Sequence, residues 1–194
     1  KNYIFFTPVL ALAETSIEDY RKYDVTKTKF TLEKSAKDLS YPWALSFIDK
    51  TNVVITEKDG GLYKVDVLSG KKQKIKHNIP HIGYDGGGQG GLLDVYFNPS
   101  DDYIYFTYSH KSSKLTRSKQ LSKKSSTAIA RGRLIENEIK DFEILLIAKP
   151  EFLENRHYGS RIAIKGDDLF VSFGERGQGM ISQDPSKHPG SIVR

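Results

Sequence analysis

The chain has 194 residues, 30 Lys and Arg against 24 Asp and Glu for a formal net charge of +6, and no cysteine. The absence of thiols excludes a disulfide scaffold, cysteine-ligated zinc or iron–sulfur centres and a cysteine nucleophile. A composition 38% hydrophobic and 28% charged is that of an ordinary globular chain, neither disordered nor collagenous, and 11 Tyr with 10 Phe against a single Trp bias it toward β-structure.

In chain order, the first feature is an apolar run over Tyr3–Leu12 that ends in the small-x-small triplet Ala11-Leu12-Ala13. Residues 1–13 are therefore expected to be the remnant of a signal peptide cut at its front, with a first core element as the alternative. The run is shorter than the ~20 residues that a membrane span needs, and export to the periplasm or outside the cell is the expectation. Past residues 14–39, three segments share one design of alternating apolar stretch, polar turn and second apolar stretch: Ala44–Glu57, Asp94–Ser109 and Arg161–Glu175. The first continues through Asp59-Gly60, a favoured two-residue hairpin turn, into Leu62–Val67 and then past Ser69-Gly70 into Lys71–Lys76. The second continues through Thr127–Leu134 and Glu138–Ile147. The third is interrupted by the end of the chain, which stops at the strand-like Ser191-Ile192-Val193-Arg194 after the turn Pro189-Gly190.

Recurring units of four short antiparallel strands predict an all-β chain and a β-propeller rather than a sandwich, of which about two and a half blades are present. So few blades do not close a ring, and the chain is expected to be a piece of a longer protein and inactive by itself. Its expected organisation is a signal remnant over 1–13, an N-terminal segment over 14–39 that could pair with the last blade, and a partial propeller over 40–194.

The unusual residues cluster just before the first strands of the repeats. Asp85–Gly91 (DGGGQGG) contains a literal G-x-G-x-x-G, but the dinucleotide fingerprint must open a helix and Leu92–Phe97 alternates like a strand. The glycines instead suit a close backbone approach or positive φ. Gln89 stands isolated among them as a candidate ligand-binding amide, with a solvent-facing turn residue as the alternative. In Asn155–Arg161 (NRHYGSR), His157 is a candidate general base, since histidine is the side chain suited to take a proton near neutral pH, with a structural or solvated loop histidine as the alternative. After the third repeat's second strand, Glu175 is a candidate to orient a histidine or Arg176 to fix an anion, with a polar hairpin tip as the alternative. Pro80 argues against a helix that would bring His77 and His81 together on a metal. Lys111–Ser126 carries Lys111, Lys114, Arg117, Lys119, Lys123 and Lys124, as many positive charges as the net charge, without the aromatic interleaving of nucleic-acid binders. It is expected to be a solvated loop between strands, with an electrostatic docking patch for an acidic partner as the alternative, and no nucleic-acid partner is expected.

Taken together, Tyr41-Pro42-Trp43-Ala44-Leu45, Val54-Ile55-Thr56-Glu57-Lys58, Gly88-Gln89-Gly90-Gly91-Leu92-Leu93-Asp94, Ala128-Ile129-Ala130-Arg131-Gly132-Arg133-Leu134, His157-Tyr158-Gly159-Ser160-Arg161 and the stretch from Gln183-Asp184 to Arg194 resemble the glucose/sorbosone dehydrogenase family, the soluble quinoprotein glucose dehydrogenases and aldose sugar dehydrogenases. The resemblance runs from about Ser40 to the end and covers the N-terminal half of the family pattern. It implies a six-bladed propeller that oxidises aldoses to lactones with pyrroloquinoline quinone and calcium and passes the electrons to an acceptor such as a cytochrome or a quinone. By position it implies that His157 is the general base and that Gln89 and Arg161 lie at the cofactor. Glu175 supports the histidine where relatives carry an aspartate. Calcium ligands are expected in the C-terminal half of the pattern. A non-catalytic propeller that binds a protein or a glycan is the alternative, and retention of both His157 and Gln89 argues against it. A calcium-dependent lactonase on a similar propeller would need metal ligands for which Glu175 alone is thin support.

Overall fold

A computed structural model describes residues 5–7, 31–112 and 123–194, with side chains from residue 34 onward. Two short strands, β1 (Phe5–Thr7) and β2 (Thr31–Glu33), pair antiparallel. The rest of the proposed signal remnant, and the centre of the lysine-rich loop with Lys114, Arg117 and Lys119, lie outside the described residues. The strands that flank that loop are described, and no described helix is long and apolar enough to cross a membrane.

Three consecutive antiparallel sheets follow, each strand beside its neighbour in sequence. The first is β3 (Pro42–Phe47), β4 (Asn52–Glu57), β5 (Leu62–Asp66) and β6 (Lys72–Lys74). The second is β7 (Leu92–Asn98), β8 (Tyr103–Lys111), β9 (Ser125–Ile135) and β10 (Glu138–Ile147). The third comprises β11 (Gly159–Lys165), β12 (Asp168–Phe173) and, after a 3₁₀ turn over Gly179–Gln183, β13 (Ile192–Val193). This is the expected partial propeller, with two blades of four strands and a third of three. One turn differs from its reading in sequence. Glu57 accepts the Gly60 N–H and donates its own to Gly61, with Gly60 at φ 102°, so the β4–β5 connection is a longer turn with a glycine bulge.

Burial explains the strand patterns. β4 is buried along almost its whole length because the second blade covers one of its faces and the segment with Ala36 and Leu39 the other, hence the unbroken Val53-Val54-Ile55. The first and second blades share a core of Val54, Leu62, Leu92, Val95, Phe106 and Ala130, among others. Ile129, Ala148, Val171 and Phe173 fill the space between the second and third. On the other face of the first blade, Ala36 and Leu39 pack against Val53, Ile55 and Val65.

A repeated polar joint holds the blades in register. Each first strand has an irregularity at its start, between Pro42 and Ala44, Leu92 and Val95, and Gly159 and Ile162. The freed N–H groups of Ala44, Asp94 and Arg161 donate to the hydroxyls of Thr56, Thr107 and Ser172 on the second strands, at 3.2, 3.0 and 3.1 Å. Thr56 then donates to Leu93 O of the next blade at 2.6 Å, and Thr107 to Ser160 O at 2.8 Å. Asp94 adds a second link, its carboxylate accepting the Ile162 N–H at 2.8 Å. A bulge turns the strand and leaves backbone groups to be satisfied, and the repeat satisfies them across the blade interface.

Candidate active site

In an antiparallel blade, the start of the first strand and the end of the second lie at one end of the sheet. The loop entering β7 carries Gln89, the loop entering β11 carries His157, and the segment leaving β12 carries Glu175, so all three gather at that end. His157 sits at φ 52°, in the left-handed region where a residue with a Cβ is strained. Its backbone is held from both sides: its N–H donates to Gln89 Oε1 at 2.6 Å and its carbonyl accepts the Arg176 N–H at 3.2 Å. Gly174 lies so close beneath that carbonyl that a Cβ there would strike the His157 carbon and oxygen.

The imidazole Nδ1 meets Glu175 Oε1 in a short contact. Glu175 also accepts the Gly177 N–H at 3.1 Å. The hydrogen bond from His157 is the main reason that its carboxyl lies below the ordinary carboxylate range. An ionised carboxylate only accepts, so Nδ1 carries the proton and Nε2 of the neutral ring holds a free lone pair. The His157 side chain is 44% exposed, and Nε2 has no hydrogen-bond partner among the described residues. The Gln89 amide nitrogen is likewise unengaged among them.

The glycine-rich loop is fastened to the histidine loop through Asn155. Its carbonyl accepts the Gln89 N–H at 2.9 Å and its Oδ1 accepts the Gly90 N–H at 3.1 Å. Its side-chain nitrogen donates to Asp85. The N–H groups of Gly88 and Gly87, with the Asn155 amide, hold the Asp85 carboxyl below its usual range. Gly88 and Gly90 must be glycine because any Cβ would collide with Asn155. Lys58 from the β4–β5 turn caps Gly88 O at 2.5 Å. The role of DGGGQGG is thus close backbone approach, and the strand that follows excludes the dinucleotide reading.

Arg161 lies at the start of β11. One of its guanidinium nitrogens donates to the buried Asp94 at 2.9 Å, while the side chain stays 72% exposed. It has no hydrogen bond to the other three. Arg176 departs from its reading as an anion anchor, for its side chain is 1% exposed and its donors are consumed by protein oxygens. His77 is occupied structurally, its Nδ1 accepting the Ile79 N–H at 3.3 Å and its Nε2 donating to Gly60 O at 2.7 Å. Asn155, Asp85 and Lys58 were not singled out in sequence as site residues, although Asn155 and Asp85 stand in the two motifs that were.

The free Gln89 amide and the exposed Arg161 guanidinium are hydrogen-bond donors that fit an anionic, oxygen-rich planar quinone, and the His157 lone pair is an acceptor that fits a hydroxyl proton. For calcium, no group of three or more His, Asp or Glu among the described residues could hold a metal ion.

A sequence model of the family described as Glucose / Sorbosone dehydrogenase matches residues 39–194. Among solved structures, one described as glucose dehydrogenase is 26% identical with a TM-score of 0.72, over 84% of this chain and 46% of its own. The soluble aldose sugar dehydrogenase of Escherichia coli, solved in its apo-form, is 28% identical with a TM-score of 0.69, over 83% of this chain and 45% of its own. An uncharacterized protein of Synechocystis sp. is 24% identical over 177 residues, 80% of this chain and 40% of that protein. The chain spans about half the length of the proteins that it matches. Its matched span, its blades and the order of its motifs agree: the chain belongs to the glucose/sorbosone dehydrogenase family.

Proposed function

We propose that this chain forms part of an exported enzyme that oxidises the anomeric hydroxyl of aldose sugars to lactones. In this reading His157 is the general base, Glu175 its orienting carboxylate and Gln89 a hydrogen-bond donor to substrate and cofactor. Arg161 offers its guanidinium to the cofactor's anionic edge. The observation that supports the reading most is the hydrogen bond from His157 Nδ1–H to Glu175, which leaves Nε2 as an exposed lone pair beside the free Gln89 amide.

The chemistry follows from those atoms. A hydroxyl-bearing carbon that loses hydride develops positive charge unless the hydroxyl proton leaves with it, so a base within hydrogen-bond reach lowers the barrier. His157 Nε2 accepts that proton, and Glu175 stabilises the imidazolium that results. Gln89 holds the histidine backbone through Oε1 and offers its amide N–H groups outward. Pyrroloquinoline quinone, when bound, supplies the two-electron acceptor for the hydride, and the protein supplies position and electrostatics. Calcium, and an electron acceptor such as a cytochrome or a second quinone, enter from the family pattern.

The test is aldose-dependent reduction of an artificial electron dye by the intact protein, reconstituted with the quinone and calcium over a panel of sugars. Turnover that requires sugar, quinone and calcium together supports the reading. Tight quinone binding without oxidation of any aldose overturns it.

A further inference from the structure

We propose that Arg176 is a positioning residue for His157, a buried clamp that keeps the base in its left-handed conformation with Nδ1 turned to Glu175. This inference rests on the general-base reading above and adds a residue to it.

The guanidinium is almost wholly buried and has no carboxylate within ion-pair distance among the described residues. An unpaired buried charge is expensive unless hydrogen bonds take it up, and these come from two separate stretches of chain. Nε donates to Arg156 O at 2.8 Å and one terminal nitrogen to Ser125 O at 2.9 Å. The other donates to Ser125 Oγ at 3.2 Å and to Glu154 O. The guanidinium also stacks on Tyr158, 3.7 Å from the ring centre. The Tyr158 hydroxyl bridges Ser125 Oγ at 2.7 Å and Asn155 Oδ1 at 3.0 Å.

The grip therefore closes around His157. Arg176 takes the carbonyl of the preceding residue and that of Glu154, stacks on the residue that follows, and sends its own backbone N–H to the His157 carbonyl. A residue with a Cβ at positive φ persists only where its surroundings over-determine it. The planar fork of arginine spans these oxygens in a fixed geometry that a lysine ammonium does not reproduce.

The test uses the intact protein with Arg176→Lys and Ser125→Ala. The first keeps the charge and gives up the fork; the second removes one acceptor from the clamp and leaves Arg176 in place. In ¹⁵N-labelled protein, the signal of the His157 Nδ1–H, identified by its loss in His157→Ala, reports the bond to Glu175 independently of turnover. Expected for Arg176→Lys are loss of that signal and a kcat lowered about 10- to 100-fold, as for a small misplacement of a reacting group, with KM for the sugar within about twofold. Ser125→Ala is expected to weaken the same signal and lower kcat severalfold.

An unaltered signal and kcat in both variants would overturn the proposal. So would a loss of kcat that matches the unfolded fraction. If Arg176→Lys does not fold, Ser125→Ala decides. If the unaltered protein oxidises no aldose, the dehydrogenase reading fails while the Nδ1–H signal still judges the clamp.

Discussion

Replacing Thr107 by valine tests the joint between the second and third blades. The Thr107 hydroxyl is fully buried, accepts the Asp94 N–H at 3.0 Å and donates to Ser160 O at 2.8 Å. Valine keeps the shape and removes both bonds, leaving a buried amide donor and a buried carbonyl unsatisfied at about 1–3 kcal/mol each. Because Ser160 O retains a second lone pair, the expected cost lies toward the lower end of the sum, about 2–4 kcal/mol. Thr56→Val, which cuts the equivalent bonds to Ala44 N and Leu93 O, is expected to cost a similar amount. Ser172→Ala removes a single bond, to Arg161 N at 3.1 Å, from a less buried site and is expected to cost about 1 kcal/mol or less. Urea titrations of the intact protein, followed by tryptophan fluorescence and far-ultraviolet dichroism together, measure the three. A Thr107→Val cost below about 0.5 kcal/mol, or a Ser172→Ala cost as large as that of Thr107→Val, would refute the reasoning that these hydroxyls carry the register of the blades.

Three further outcomes follow from the site. Glu175 has a folded pKa below its unfolded value, so the contribution of its pair with His157 to stability is fully present above the unfolded value of about 4.3 and is lost as pH falls through the folded pKa. The stability difference between the unaltered protein and Glu175→Gln, at most about 1 kcal/mol for so exposed a pair, is therefore expected to shrink as the pH falls from ~5 toward 3; a difference that grows over that range contradicts this. Gly174→Ala drives a Cβ into the His157 carbonyl and is expected to cost about 1–3 kcal/mol and to lower kcat about 100-fold, which steady-state kinetics beside a thermal melt will check. Asn155→Ala frees the Gln89 and Gly90 loop from the histidine loop, and hydrogen exchange at the amide of Gly90 is expected to accelerate at least tenfold while exchange in β8 is unchanged.

Much of the fold was legible because it rests on local signals. Alternation marked β3 to β12, and Gly and Asp marked the turns. The irregularities at the starts of β3, β7 and β11 were not legible, since they answer to hydroxyls on neighbouring strands and to carbonyls of the next blade. Among the site residues, His157, Gln89 and Glu175 stood out by chemistry in unusual loops. Arg176 was misread for a physical reason: a charged side chain is by default a surface group, and the oxygens that bury this one come from Ser125 and from Glu154 and Arg156, far apart in sequence. Asn155 was passed over because an asparagine before a turn has many ordinary uses, and only the fold brings Asp85 and Gly90 to it.

The most direct measurement is the sugar-dependent rate of the intact, quinone- and calcium-loaded protein against its His157→Ala variant, with quinone binding to both followed by its absorbance. Loss of a general base is expected to lower kcat by about 10²–10⁴-fold while quinone still binds. Full activity in His157→Ala would contradict the account.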